Sequence, residues 1–327
     1  MESTQEILQG RPLGIGTWAI GGPWTFDGRP AGWGAVDEAE SVATIHAAVD
    51  GGIRLFDTAD CYGTGTSERV LGKALAQLPP EVRDDVVIAT KFGNLFHEET
   101  CSGGGQDVSP AYIRKACEAS LNRLGVDAID ILQLHGGVAN GTEAAGVIAV
   151  LEELVAEGKI KAFGTSVDAP SVIEAFAASP NSVSVQTQAN VFGYQAEVFE
   201  TARRTGQTVL ARSPLAMGLL TGKYDLTNRP AADDVRRDTP WWTYFDDDAM
   251  ADWLKRLDAV RELLRTGGRT LTQGALAYVW ALDAIPLPGA RTPAQAIEHA
   301  GALDTGPLPS ATMTEIRELM KDSPEMH

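Results

Sequence analysis

The sequence predicts one α/β domain, a (β/α)8 TIM barrel spanning residues 1–327. Three observations carry that expectation. Short apolar runs alternate with amphipathic helical patterns through most of the chain, the mark of a parallel sheet with crossover helices. There are eight such runs, joined mainly by short loops, and eight repeats of that unit close into a barrel. The competing fold, an open doubly wound sheet, would carry a GxGxxG turn opening a helix after a strand. Here Gly14-Ile15-Gly16 begins one, but Ala19 stands where the third glycine belongs and no helical pattern follows. A chain of 327 residues would also suit two ordinary domains, yet barrels of this kind run to that length as one.

The elements follow in order. The first strand covers 12–19 (PLGIGTWA) and opens into a Gly/Pro/Trp-rich loop, 21–34. Asp37 and Glu40 have capping-box spacing, Val42, Ile45 and Val49 share a helical face, and Gly51 stops that helix. The second strand begins at Ile53 and delivers Asp57 at its end, followed by Thr58, Asp60 and Tyr62. A helix covers 67–75. The third strand, 86–91, ends in Lys91; a glycine-rich loop then leads to Ser109-Pro110, an N-cap and first-turn pair. Ile113, Cys117, Leu121 and Leu124 form the stripe of that helix, which makes Cys117 a buried structural thiol. The fourth strand, 129–135, ends in His135, and the next helix buries Val147, Val150, Leu151, Leu154 and Val155. The fifth, 161–166, ends in Ser166. Asp168 is expected to cap the helix that buries Val172, Ile173 and Phe176. The sixth strand, 183–186, ends in Gln186, and the seventh, 208–212, in Arg212, with a helix over 197–204 between them.

The alternation then breaks. Residues 222–246 hold no regular element but carry Trp241, Trp242, Tyr244 and Phe245, so they are expected to form a long active-site loop. Helices over 247–265 and 272–282, an eighth strand over 284–287, a turn holding Gly289 and Arg291, a helix opened by Pro293 and a last helix over 313–320 complete the chain.

A net charge of −17 argues against nucleic acid and anionic membrane surfaces as partners. Cys61, Cys101 and Cys117 supply neither a disulfide framework nor a CxxC metal pair, which points to a reducing, cytoplasmic setting. The acidic N-terminus lacks the apolar core of a signal peptide, and no run reaches the ~20 apolar residues that span a membrane.

In a barrel, the C-terminal ends of the strands share one face, where the chemistry sits. Those ends carry Trp18, Asp57, Lys91, His135, Ser166, Gln186, Arg212 and Arg291. Singly, each has a structural reading: a lysine snorkels, a histidine is satisfied in the core, a glutamine anchors a loop. Ionisable groups ending strands two, three and four together form a constellation. Lys91 is expected to pair with Asp57, which lowers the cost of burying both. Its ammonium is also expected to lie beside the Tyr62 phenol and lower a pKa that starts near 10. Such a phenol exchanges a proton with an alkoxide, and His135 donates a hydrogen bond to the same oxygen. That chemistry is carbonyl–alcohol interconversion. No side chain supplies a hydride, so a nicotinamide is required. Metal hydrolysis would need several converging ligands, and only His135 of the five histidines ends a strand, so no metal is expected.

The segments FDTADCYGTGTSERVLGKAL, VVIATKFG, IDILQLH, FGTS, RSPLAMGLLTGKY and IPLPGARTPAQAIEHA, in this order, resemble the aldo-keto reductase superfamily over nearly the whole chain, and in particular its bacterial, longer-loop branch. The resemblance implies a (β/α)8 barrel, NADP(H), a small aldehyde, ketone or alcohol substrate, and a catalytic tetrad of Asp57, Tyr62, Lys91 and His135 with Tyr62 as general acid/base. It places cofactor contacts at Thr17, Trp18, Ser166, Gln186, Arg212, Leu215, Gly218, Gly289, Arg291, Gln295, Glu298 and His299. Ser166 and Gln186 would hold the carboxamide, and Arg212 falls where many relatives carry a stacking aromatic; a guanidinium plane stacks too. Val167, Ala189 and His299 depart from frequent Asn, Tyr and Asn. Trp18, Trp24, Trp33, Phe92 and the 241–245 cluster are candidates for the substrate wall. The alternative implied by the same resemblance is an NADP(H)-binding regulatory subunit.

Overall fold

The computed structural model describes residues 4–231, 234–237 and 239–323. Its frame is eight strands: β1 Gly14–Gly16, β2 Leu55–Asp57, β3 Val87–Phe92, β4 Ile129–Leu134, β5 Ile160–Thr165, β6 Ser182–Asn190, β7 Thr208–Arg212 and β8 Ala284–Leu287. Each pairs in parallel with the next. The ring closes where Gly16 bridges Gly289 and its N–H donates to Pro288 O at 2.9 Å. Closure leaves no barrel edge to pair with another chain. Helices cover the outside, and no helix of the described residues is long and apolar enough to cross a membrane.

Two apolar layers follow from the alternation of strand side chains. Leu55, Val87, Ala89, Ile131, Val183 and Leu210 are among those filling the barrel interior, with Leu8 of the N-terminal turn Thr4–Leu8 packed on them. The larger layer lies between barrel and helices and includes Cys117, fully buried. β1 is glycine-rich for a steric reason: a Cβ on Gly14 would stand 2.6 Å from the Leu287 side chain. Two of the expected caps are present, with Asp37 accepting from Glu40 N and Ser109 from Tyr112 N.

Several expectations are corrected. β1 is shorter than 12–19, because the chain turns at Trp18–Ile20 into a 3-10 helix. β6 runs on to Asn190. Asp168 does not cap the following helix, whose N-cap is Ala169 without a side-chain bond; its carboxylate instead pairs with Arg212 at 2.8 Å. Phe92 is fully buried in the outer core and walls no pocket. The two glycine-rich loops are not loops throughout. Arg29–Pro30, Thr25–Phe26, Ser102–Gln106 and Asn94–His97 form a second, four-stranded sheet in that order. Around it Trp24, Ala31, Ala59 and Cys61 cluster with Phe26, Tyr62 and Phe96, which brings the sheet against the end of the second strand's turn.

No helix or strand occurs among the described residues between Thr221 and Met250. That segment reaches across to the loop after β1. Val235 N–H donates to Gly32 O at 3.1 Å, and the Arg236 guanidinium lies 4.5 Å from the Trp33 ring centroid.

Candidate active site

β2 and β3 together build the centre. Beyond Asp57 the chain keeps pairing with β3, through Thr58 N to Ala89 O at 2.8 Å and Asp60 N to Lys91 O at 3.1 Å. It then turns tightly, so Tyr62 comes back over the strand ends. Lys91 is fully buried and spends its three ammonium donors on Asp57 Oδ2 at 2.6 Å, Thr58 O at 2.8 Å and Tyr62 OH at 3.3 Å. The other Asp57 oxygen accepts from Gln186 Nε2 at 2.7 Å and Gln133 Nε2 at 3.0 Å. A buried ion pair is tolerable only when its remaining lone pairs are satisfied in this way. Gln133 was not anticipated. The signal was available: an amide inside a short strand of mainly apolar residues, two residues before His135, must find a buried partner.

The Tyr62 ring is stacked on Trp18, with centroids 5.8 Å apart and planes 22° apart, and meets His135 edge-on at 5.8 Å. Trp18 is itself oriented by Nε1–H donating to Ala31 O at 2.8 Å. The expected lowering of the phenol pKa is overturned. Burial pushes Tyr62 up to about 12; Lys91 pulls it down and Asp57 adds to the rise, and burial outweighs the cation. Burial opposes the Lys91 ammonium, but Asp57 and Tyr62 more than offset it and its pKa is raised. His135 is held well below the ordinary histidine range by burial, then by Lys91 and Arg212. At neutral pH the centre is therefore a protonated phenol, an ammonium–carboxylate pair and a neutral imidazole.

Asp57, Tyr62 and His135 line a cavity of about 1590 Å³. So do Trp18, Ser166, Gln186, Arg212, Leu215 and Gly218, together with Gly289, Arg291, Gln295, Glu298 and His299. Thr17 does not reach it: the residue is fully buried, its hydroxyl donating to Asp57 O at 3.0 Å and accepting from Ser67 at 2.7 Å. The Gln186 amide nitrogen is committed to Asp57, which leaves its oxygen as the acceptor for a ligand. The Arg291 guanidinium donates to Trp33 O and Ala35 O, both at 2.6 Å, and makes no ion pair among the described residues. His299 is buried, with Nε2 3.2 Å from Gly289 O. Trp24, Trp33, Trp241 and Trp242 also line the cavity.

After β7 the backbone is strained. Ser213, Ala216 and Met217 have φ of 55°, 46° and 55°, followed by Gly218 at 98°. Three non-glycine residues in the left-handed region cost of order 1–3 kcal/mol each, and Ser213 and Met217 among them line the cavity. Gly218 is the glycine this turn requires, with the Arg236 guanidinium and Tyr224 ring both 3.4 Å from where a Cβ would stand. Arg236 was also unanticipated. It is buried, bound in a fork to Asp234 at 2.8 and 2.7 Å, and donates to Met217 O at 3.2 Å. The described residues hold no group of three or more His, Cys, Asp or Glu placed to bind a metal.

Residues 12–321 match the model of the Aldo/keto reductase family. The chain is 34% identical to the NADH-specific methylglyoxal reductase of Escherichia coli (strain K12), covering 97% of this chain and 96% of that one. It is 32% identical to aldo-keto reductase YhdN of Bacillus subtilis (strain 168), covering 97% and 92%. The solved structure of a glycerol dehydrogenase from Gluconobacter oxydans matches with a TM-score of 0.81 at 31% identity, over 97% of this chain and 93% of that one.

Proposed function

The chain belongs to the aldo/keto reductase family, and on that premise we propose that it is an NADP(H)-dependent oxidoreductase interconverting an aldehyde or ketone and the alcohol, with Tyr62 as general acid/base. The observation that carries the reading is the Tyr62 hydroxyl 3.3 Å from an ammonium that is itself neutralised by Asp57. The substrate oxygen takes hydrogen bonds from the Tyr62 hydroxyl and from an imidazole N–H of neutral His135. A bound nicotinamide supplies or accepts the hydride. Tyr62 gives its proton to the developing alkoxide, and the Lys91 ammonium stabilises the phenolate left behind. With the phenol raised to about 12, the proton is in place for reduction throughout the neutral range, whereas alcohol oxidation must first remove it and gains as pH rises.

The residues present suit such a cofactor. The cavity is large, Gln186 offers an amide oxygen, Ser166 stands at its wall, and Arg291 keeps a charge that no carboxylate neutralises among the described residues. Reduction of 4-nitrobenzaldehyde with NADPH tests the function. Turnover supports the enzyme; NADPH binding without turnover of any of a panel of aldehydes and ketones would replace this reading with the regulatory subunit. All three cysteines are free thiols, which suits the cytoplasm.

The preference for NADPH rests on Arg291, since a relative is named as NADH-specific. Arg291 precedes the helix Pro293–Ala300 by two residues and two backbone carbonyls of the loop after β1 hold its guanidinium, and a cation near a helix N-terminus favours a 2′-phosphate. A charge-assisted hydrogen bond contributes about 1.5–3 kcal/mol, so Arg291→Ala should weaken NADPH roughly ten- to a hundredfold and leave NADH nearly unchanged. Fluorescence titration of both cofactors decides it, because an equal loss for the two would remove Arg291 from 2′-phosphate recognition. The described residues of 222–246 act as a strap over the cavity, a role supported by the Val235–Gly32 and Arg236–Trp33 contacts, while 232, 233 and 238 lie outside the described residues. Limited proteolysis in that segment should slow with NADPH; equal cleavage with and without it would make the segment a passive excursion.

A further inference from the structure

We propose that Cys61 is a positioning residue for the reaction proposed above: with Asn94 and Gln106 of the small sheet it selects the His135 tautomer whose Nε2–H faces the substrate oxygen. Four side chains stand in a line. Gln106 Nε2 donates to Asn94 Oδ1 at 2.9 Å, Asn94 Nδ2 donates to Cys61 Sγ at 4.0 Å, and Cys61 Sγ lies 3.8 Å from His135 Nδ1. The two amide residues are anchored. Tyr112 OH donates to Asn94 O at 3.1 Å, and the Gln106 amide rests against Gly136, where a Cβ would stand 2.2 Å from Nε2.

The direction of the line follows from its donors. Asn94 Oδ1 is taken by Gln106, so the amide presents its nitrogen to the thiol. The sulfur then accepts from Asn94 and has one proton of its own to give. The ring nitrogen facing it is Nδ1. A thiol that donates to Nδ1 leaves the single proton of a neutral imidazole on Nε2. The opposite tautomer would give sulfur two donors and leave its own proton unpartnered in a buried place, Cys61 being 1% exposed. Burial acts on both groups in the required sense, raising the thiol so that it keeps its proton and lowering the imidazole so that it stays neutral. The small sheet, which contributes nothing to the barrel, thereby acts on the catalytic histidine.

The test labels histidine with 15N and reads the His135 tautomer by long-range 1H–15N NMR, the signal being assigned with His135→Gln. The expected result is Nε2–H in the wild type, a mixture with Nδ1–H in Cys61→Ala and in the better-filled Cys61→Val, and return to Nε2–H in Cys61→Ser. In aldehyde reduction kcat should fall roughly three- to tenfold in Cys61→Ala and Cys61→Val, the worth of one net hydrogen bond, with the KM for NADPH unchanged and kcat recovered in Cys61→Ser. Nδ1–H in the wild type, or an unchanged Nε2–H tautomer in folded Cys61→Ala or Cys61→Val, overturns the proposal. A wild type that reduces no carbonyl would overturn the enzyme reading instead, and the NMR arm would still decide what Cys61 does to His135.

Discussion

Tyr62→Phe is expected to lower kcat for carbonyl reduction by roughly 10²–10⁴-fold, the range that general acid catalysis supplies, with NADPH affinity nearly unchanged. The hydroxyl is the part of Tyr62 that exchanges a proton and contacts Lys91, at 3.3 Å. The ring, stacked on Trp18, is kept by phenylalanine, so the packing of the site survives. The neighbouring groups are poor substitutes: Lys91 is fully buried with all its donors engaged, and His135 is held as a neutral imidazole, a far weaker acid than an imidazolium. Steady-state kinetics with a fluorescence titration of NADPH separates chemistry from binding. A variant keeping more than about a tenth of wild-type kcat would remove Tyr62 from the role of acid, since that loss lies below the range for the step.

Lys91→Met should damage both fold and reaction. Removing one partner of a buried pair leaves the other charge uncompensated, at a cost of about 3–5 kcal/mol. Asp57 would keep its amide donors from Gln133 and Gln186 but lose the ammonium 2.6 Å away. The sign with pH follows from the raised Lys91 pKa: the contribution is complete at neutral pH and is lost as pH rises above the ordinary lysine value through the folded one. Denaturant unfolding at neutral and alkaline pH should therefore show the difference between wild type and variant shrinking at high pH. Adding Asp57→Asn to Lys91→Met removes the stranded charge and should restore part of the stability without restoring activity. The phenol loses its cation as well, so its pKa rises further and alcohol oxidation needs still higher pH. Normal activity with an unshifted alkaline limb would uncouple Lys91 from Tyr62.

The local pattern of the chain determined the barrel and the face on which Asp57, Lys91 and His135 stand. Each strand declares itself within six or so residues, and parallel closure sends all C-terminal ends to one face, so Asp57, Lys91 and His135 meet without any knowledge of the contacts between them. Helix caps such as Asp37 and Ser109 are equally local and equally legible. What the tertiary structure alone decided depends on groups far apart in the chain. The four-stranded sheet pairs Thr25–Phe26 with Ser102–Gln106, segments too short and too glycine-rich for an apolar period to show. Asp168 was available both to a helix N-terminus and to a guanidinium, and the arrival of Arg212 from β7 settled the choice. Gln133 of β4 and Gln186 of β6 found their acceptor in Asp57 of β2 only once the sheet had curled into a barrel, because β3 and β5 stand between those strands. The Tyr62 phenol is the sharpest instance. A neighbouring ammonium is visible in the spacing of residues and argues for a lowered pKa, but desolvation depends on how completely the surrounding fold excludes water, and in this site it is the larger effect.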